Sequence, residues 1–183
     1  DEVGVPFELA AEALGQFEGI GRRFERRGEA AGVRVVDDYA HHPQELRATL
    51  QSAREAYGGR IIVAFQPHRY TRTRDLFDEF ATAFNDSDVL RVADVYAAGE
   101  APIEDVEARS LALAVSRRGH KNAQWSGSVE QTAEALAAVV RPGDLVLTLG
   151  AGDIHRAGEQ LLEQLQAAAG RGRQKSDSVN QTR

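Results

Sequence analysis

Val33-Arg34-Val35-Val36-Asp37-Asp38-Tyr39-Ala40-His41-His42-Pro43 decides how this chain is read. A largely apolar strand comes first. Two carboxylates, a phenol and two imidazoles follow, and Pro43 then opens an amphipathic helix. The same order recurs twice. Gln66-Pro67-His68-Arg69-Tyr70-Thr71-Arg72 follows the apolar run Ile61 to Phe65, and Gly150-Ala151-Gly152-Asp153 follows Leu145 to Leu149. If the three strands are parallel, all three loops open on one edge of one sheet, where open α/β sheets bind their ligands.

Working outward, Leu46, Leu50 and Ala53 share one face of a helix over 43–56 that Gly58-Gly59 stops. Ile61 to Phe65 is apolar throughout, as in a strand covered on both faces. The pattern then predicts a helix over 74–84, a strand over 89–92 and a helix over 104–118. A short strand over 123–125 comes next, then a helix over 129–140 capped by Ser128 or Ser126. Pro142-Gly143-Asp144 turns into the strand 145–149, and a helix runs over 155–168. Upstream, Arg22 to Arg27 and Val33 to Asp37 read as a hairpin around Gly28 to Gly32. Strands alternating with helices predict an α/β fold with a mostly parallel sheet, helices on both faces and right-handed crossovers.

Residues 1–21 stand apart. Phe7, Leu9, Ala10, Ala13, Leu14 and Phe17 give one helix after Pro6, and a lone helix is not a domain. They read as the end of a preceding domain, 22–168 as the complete α/β domain, and 169–183, which lack an apolar pattern, as a disordered tail.

Composition narrows the function. With 42% apolar residues a core can form, and without cysteine neither a disulfide framework nor a thiolate metal site is available. A net charge of -6 disfavours general nucleic-acid binding, which makes the cluster Arg69, Arg72 and Arg74 stand out. No apolar run is long enough for a membrane span, no signal peptide is visible, and the chain is expected in the cytoplasm.

Each loop has its own chemistry. Arg69 and Arg72 offer forks for a carboxylate or phosphate, with His68 as a further donor. Asp37 or Asp38, at a strand end, suits a ribose or else shapes the turn. Gly150-Ala151-Gly152 before a helix is an anion cradle. It is not a dinucleotide fingerprint, because His155 stands where the third glycine belongs. His41 and His42 are adjacent and their side chains diverge, so no metal site is expected. Arg22 and Arg23 are junction residues, suited to phosphate contact or to simple exposure beside Glu25. A Gly-x-x-x-x-Gly-Lys-Ser/Thr loop is absent from the 183 residues.

These stretches resemble the C-terminal part of the Mur ligases. The resemblance rests on Asp-Asp-Tyr-Ala-His-His-Pro at 37–43, Phe-Gln-Pro-His-Arg-Tyr-Thr-Arg-Thr at 65–73, Val-Tyr-Ala-Ala-Gly-Glu-Ala-Pro-Ile at 95–103 and Leu-Thr-Leu-Gly-Ala-Gly-Asp-Ile at 147–154. Phe17-Glu18-Gly19 followed by Arg22-Arg23-Phe24-Glu25 resembles the family's junction between central and C-terminal domains. The resemblance covers roughly 5–168 and implies a Rossmann-like domain of an ATP- and Mg2+-dependent amide-forming ligase of peptidoglycan precursor synthesis.

Within the family the motifs are nearest those of the member joining L-alanine to UDP-N-acetylmuramate. A peptide-joining relative, or a non-catalytic nucleotide- or amino-acid-binding module, is the alternative. The resemblance implies that Arg23 and Asp38 contact the nucleotide and that His41 and His42 face the reacting phosphate and incoming amine. It also implies that Arg69 with Arg72, Ala151 and Gly152 hold the amino acid. ATP and magnesium would be bound mainly by a preceding central domain carrying the P-loop, so the chain alone is expected to be inactive. Ala97, Gln44 and Glu104-Asp105 depart from frequent residues of the family, outside these contacts.

Overall fold

The computed structural model describes residues 21–180. The helix expected within 1–20 lies outside them, as do residues 181–183 of the expected tail. Six strands form one sheet: β1 (Glu25–Ala30), β2 (Val33–Asp38), β3 (Ile61–Phe65), β4 (Val89–Ala93), β5 (Ala123–Gly127) and β6 (Leu145–Leu149). The order is β1-β2-β6-β3-β4-β5, with β1 antiparallel to β2 and every other pairing parallel. The last strand thus inserts between β2 and β3, placing the three motif-bearing loops side by side at the carboxyl edge.

Six helices cover the sheet: α1 (Pro43–Ala56), α2 (Tyr70–Asp75), α3 (Phe77–Phe80), α4 (Ala108–Arg117), α5 (Val129–Ala137) and α6 (His155–Asn180). Successive strand side chains alternate between faces, so the sheet carries two cores. On one face Leu46 and Leu50 of α1, Phe80 and Phe84, and Leu111 of α4 pack on Val63, Phe65, Val92 and Leu147. On the other, Ala133 and Leu136 of α5 and Ile154, Ala157 and Leu161 pack on Val35, Ile62, Ala64 and Val146.

The α/β class, α1, β3 and β6 stand as the sequence predicts. Other boundaries differ, most of all at three places. The β1–β2 turn is only Ala31-Gly32, both at positive φ (50° and 75°), the two-residue geometry that matches strand twist. Gly28 therefore lies inside β1, beside a register shift. The single helix expected over 74–84 is two short ones, because Leu76 at φ -114°, ψ 19° interrupts them. α6 continues to Asn180 rather than stopping at Ala168.

Candidate active site

At the carboxyl edge the ends of β2, β6, β3 and β4 are tied to one another by backbone bonds. Gly150 N–H donates to the Asp38 carbonyl (3.2 Å) and Gln66 N–H to that of Leu149 (3.0 Å). Beyond the strands, Tyr96 N–H donates to the Pro67 carbonyl and Arg69 N–H to the Tyr96 carbonyl, both at 2.8 Å. The loops bearing Asp38, Arg69 and Gly152 therefore form one continuous rim.

The junction segment is fastened to this rim. Arg22 donates from Nε to Asp37 Oδ2 (2.7 Å), from Nη1 to the Gly152 carbonyl (2.9 Å) and from Nη2 to the Gly150 carbonyl (2.7 Å). Asp37 is fully buried and also accepts from Thr148 Oγ1 at 2.6 Å. Asp38 accepts from the backbone N–H groups of Phe24 and Ala40, each at 2.8 Å. Its carboxylate is thus placed by the turn and the junction, with further lone pairs on the same oxygens. Arg22, Phe24 and Arg69 all have positive φ (60°, 47° and 75°), backbone strain gathered at the rim.

Aromatic rings cross the rim from loop to loop. Tyr39 meets His41 edge-on with centroids 5.3 Å apart, His41 lies 5.9 Å from His68, and His68 stacks on Tyr96 at 5.3 Å. The guanidinium groups of Arg22 and Arg23 lie 5.2 and 5.7 Å from the Tyr39 centroid. A carbonyl only accepts, so the 2.9 Å contact of His41 Nδ1 with the Tyr39 carbonyl puts the proton on Nδ1. In the neutral ring Nε2 then carries the lone pair that a base needs.

His42 caps α1, and Glu45 Oε2 accepts from the N–H groups of His41 (2.9 Å) and His42 (3.1 Å). Burial raises the Glu45 pKa, but those two donors outweigh it and hold the carboxyl below its usual value. Burial pushes the His68 imidazole down, and the charges of Arg72, His41 and Arg69 add to the shift against an opposing Glu100.

The cations are unevenly matched. Arg69 is 48% exposed and its Nη1 lies 3.6 Å from Glu100 Oε1. Glu100 is already engaged by the Thr71 N–H (3.0 Å) and hydroxyl (2.7 Å). Arg72 Nη1 reaches the His68 carbonyl (3.2 Å) and Nδ1 (3.4 Å). Among the described residues, no salt bridge engages Arg23 or Arg72. Gly152 sits where a Cβ would meet Gln66 Oε1 at 2.4 Å and Tyr96 Cγ at 2.7 Å, so only glycine lets the turn pass. A cleft of about 720 Å³ between Asp94, Arg109 and Trp125 lies beyond β4, to the side of this rim.

The rim brings together every sequence-proposed residue: Arg23, Asp38, His41, His42, Arg69, Arg72, Ala151 and Gly152. Arg22, Gln66 and Tyr96 are additions. Arg22 is structural rather than exposed, and the partners of its side chain are 15 to 130 residues away in sequence. The only sequence signal for it is the doubled arginine.

Residues 22–152 match the family model described as the Mur ligase, glutamate ligase domain. The chain is 58% identical over 166 residues to the UDP-N-acetylmuramate–L-alanine ligase of Anaeromyxobacter dehalogenans, covering 91% of this chain and 36% of that protein. It is 54% identical over 165 residues to the enzyme of that name from Myxococcus xanthus, covering 90% and 35%. A solved UDP-N-acetylmuramate-alanine ligase of Thermotoga maritima superposes with a TM-score of 0.71 at 28% identity, over 92% of this chain and 35% of that one. The chain thus spans about a third of the length of the curated relatives it matches.

Proposed function

The chain belongs to the Mur ligase family, and from that premise we propose that it is the C-terminal domain of an ATP-dependent ligase joining L-alanine to UDP-N-acetylmuramate in the cytoplasm. Residues 1–21 are then the end of the central ATPase domain. The observation that carries this reading is the single rim on which under-neutralised cations, two histidines and the Gly150–Asp153 turn converge.

In the proposed reaction the muramate carboxylate attacks the γ-phosphorus of ATP, giving an acyl phosphate and ADP. The amine of L-alanine attacks the acyl carbon, loses a proton and expels phosphate. Arg23, exposed beyond Tyr39, reaches toward the ATP, and Asp38 takes a ribose hydroxyl. His41 offers Nε2 to the incoming amine, while His42, at the helix start, faces the reacting phosphate. Arg69 with Arg72 takes the alanine carboxylate, beside the N–H groups of the Ala151–Gly152 turn. Magnesium, which offsets phosphate charge in such transfers, would be held mainly by a central domain that carries the P-loop.

The test is Arg69→Ala in the full-length ligase. The KM for L-alanine is expected to rise more than about tenfold, the loss of a charge-assisted fork. The KM for ATP should stay within about twofold. Equal effects on both, or none, would refute the assigned role.

A further inference from the structure

We infer that Arg22 is a positioning residue whose fork aims the Ala151 and Asp153 N–H groups at the carboxylate of the incoming amino acid. The inference rests on the proposed amino-acid site at this rim and identifies what sets its geometry.

Arg22 is held from every side. Its N–H donates to Glu25 Oε2 and its carbonyl accepts from Tyr39 N–H, both at 2.7 Å. Its Nε is bound to the buried Asp37. That carboxylate neutralises it, so Arg22 is not a spare cation for a ligand. Its two terminal nitrogens are spent on the carbonyls of Gly150 and Gly152.

Those two bonds orient two peptide planes. The described chain has no cis peptide, and in a trans unit the N–H points opposite to the C=O. Turning the Gly150 carbonyl toward Arg22 turns the Ala151 N–H away from it. The Gly152 carbonyl does the same for the Asp153 N–H. Among the described residues neither N–H has an acceptor. Asp153 is pinned from the other side by Gln66 Nε2 at 2.9 Å. Gln66 is 4% exposed, and its Oε1, against Gly152, has no partner among the described residues. The turn is thus clamped between Arg22 and Gln66, and Arg22 fixes the direction of two of its unengaged donors, the Ala151 and Asp153 N–H groups. The Gly152 N–H, proposed from sequence, also has no acceptor among the described residues, and Asp153 adds a further donor. One ammonium cannot span two carbonyls and a carboxylate, so lysine cannot replace this arginine.

The experiment compares Arg22→Lys, Arg22→Ala and Arg69→Ala in the full-length ligase, by steady-state kinetics for L-alanine and ATP. Arg22→Lys is expected to raise the L-alanine KM about tenfold, with kcat and the ATP KM within about twofold. Millimolar guanidinium should recover part of the loss in Arg22→Ala. If Arg22→Ala does not fold, the lysine variant carries the test alone. A merely structural role would lower thermal stability and active fraction while leaving both KM values in place, and that result overturns the inference. Parallel rises in both KM values overturn it too. If Arg69→Ala raises the L-alanine KM and Arg22→Lys does not, the inference fails and the site assignment stands. If neither variant raises it, the site assignment fails and the inference with it.

Discussion

At the amino end of the sheet Arg54 donates to Asp88 at 2.7 Å and to the carbonyls of Gly59 and Asp86. At the carboxyl end, of the described arginines Arg22, Arg23, Arg69 and Arg72, only Arg22 has so close a carboxylate. Arg23 lies against a tyrosine face, Arg72 turns to a histidine, and Arg69 reaches Glu100 only at 3.6 Å. Both ends use arginines, aspartates and glycine turns on one set of strands. One end matches its charges and closes over its own carbonyls. The other keeps cations and backbone donors unspent, at a cost in strain that burial elsewhere offsets. Composition does not separate the two ends; what each group is already bonded to does.

The largest effect expected comes from the one pairing both ends share in kind, a carboxylate under an arginine. Asp37→Ala leaves the Arg22 fork and the Thr148 hydroxyl without their acceptor in a buried place. The cost is about 3 kcal/mol, the low end for a broken buried pair because the Arg22 side chain is 23% exposed. Asp88→Ala at the amino end removes a carboxylate that is 42% exposed and costs about 1 kcal/mol. Urea unfolding of the 183-residue chain measures both. Equal losses would break the comparison, since the carboxyl end would then be no more dependent on its buried clamp.

A smaller effect of opposite sign sharpens it. Arg69 holds φ 75° and ψ 135°, a region natural only to glycine. Its carbonyl accepts from the Thr73 hydroxyl and N–H, bonds that do not depend on its side chain. Arg69→Gly is therefore expected to stabilise the chain by about 1 kcal/mol while weakening L-alanine binding as Arg69→Ala does. A loss of stability on urea unfolding would show that the strain is not stored at this residue.

How much could be read from sequence follows from the range of each interaction. α1, β3 and β6 are legible because their signals are local: Pro43 at a helix start, five consecutive buried apolar residues, a Pro-Gly turn before Leu145. The break at Leu76 is not, because Leu76 itself stands in helical spacing with Phe80 and Phe84. Gly28 misleads in the opposite way, a glycine within a strand beside a bulge. At the site, the residue types were legible as motifs, whereas the bonds that order them were not. Arg22 finds its partners through the insertion of β6 between β2 and β3, a tertiary fact that no window of sequence contains.

The smallest effect is a pH dependence, again different at the two ends. At the amino end His120 is buried, with Nε2 3.0 Å from Ser87 Oγ and Nδ1 accepting from the Asn122 N–H at 3.2 Å. The Ser87 hydroxyl donates to the Phe84 carbonyl, so its oxygen accepts from Nε2–H. Both ring nitrogens are thus satisfied in the neutral form, and a second proton would face the Asn122 N–H. Burial pushes the His120 pKa down, Arg91 adds to this, and Ser87 and Asp88 oppose it. An unfolded histidine takes up its proton near pH 6.5. Below that pH the unfolded chain binds more protons than the native one, so stability falls as pH drops from about 6.5 toward the lowered value and is unaffected above it. His120→Gln should flatten this fall in urea midpoints between about pH 7.5 and 5.5. His68, half-buried at the carboxyl end and shifted in the same direction, should contribute less to it. Its titration adds a cation to the rim, so the full-length ligase should register it in the L-alanine KM. A His120→Gln chain that loses stability as steeply as the parent would show that the amino end does not carry the folding linkage.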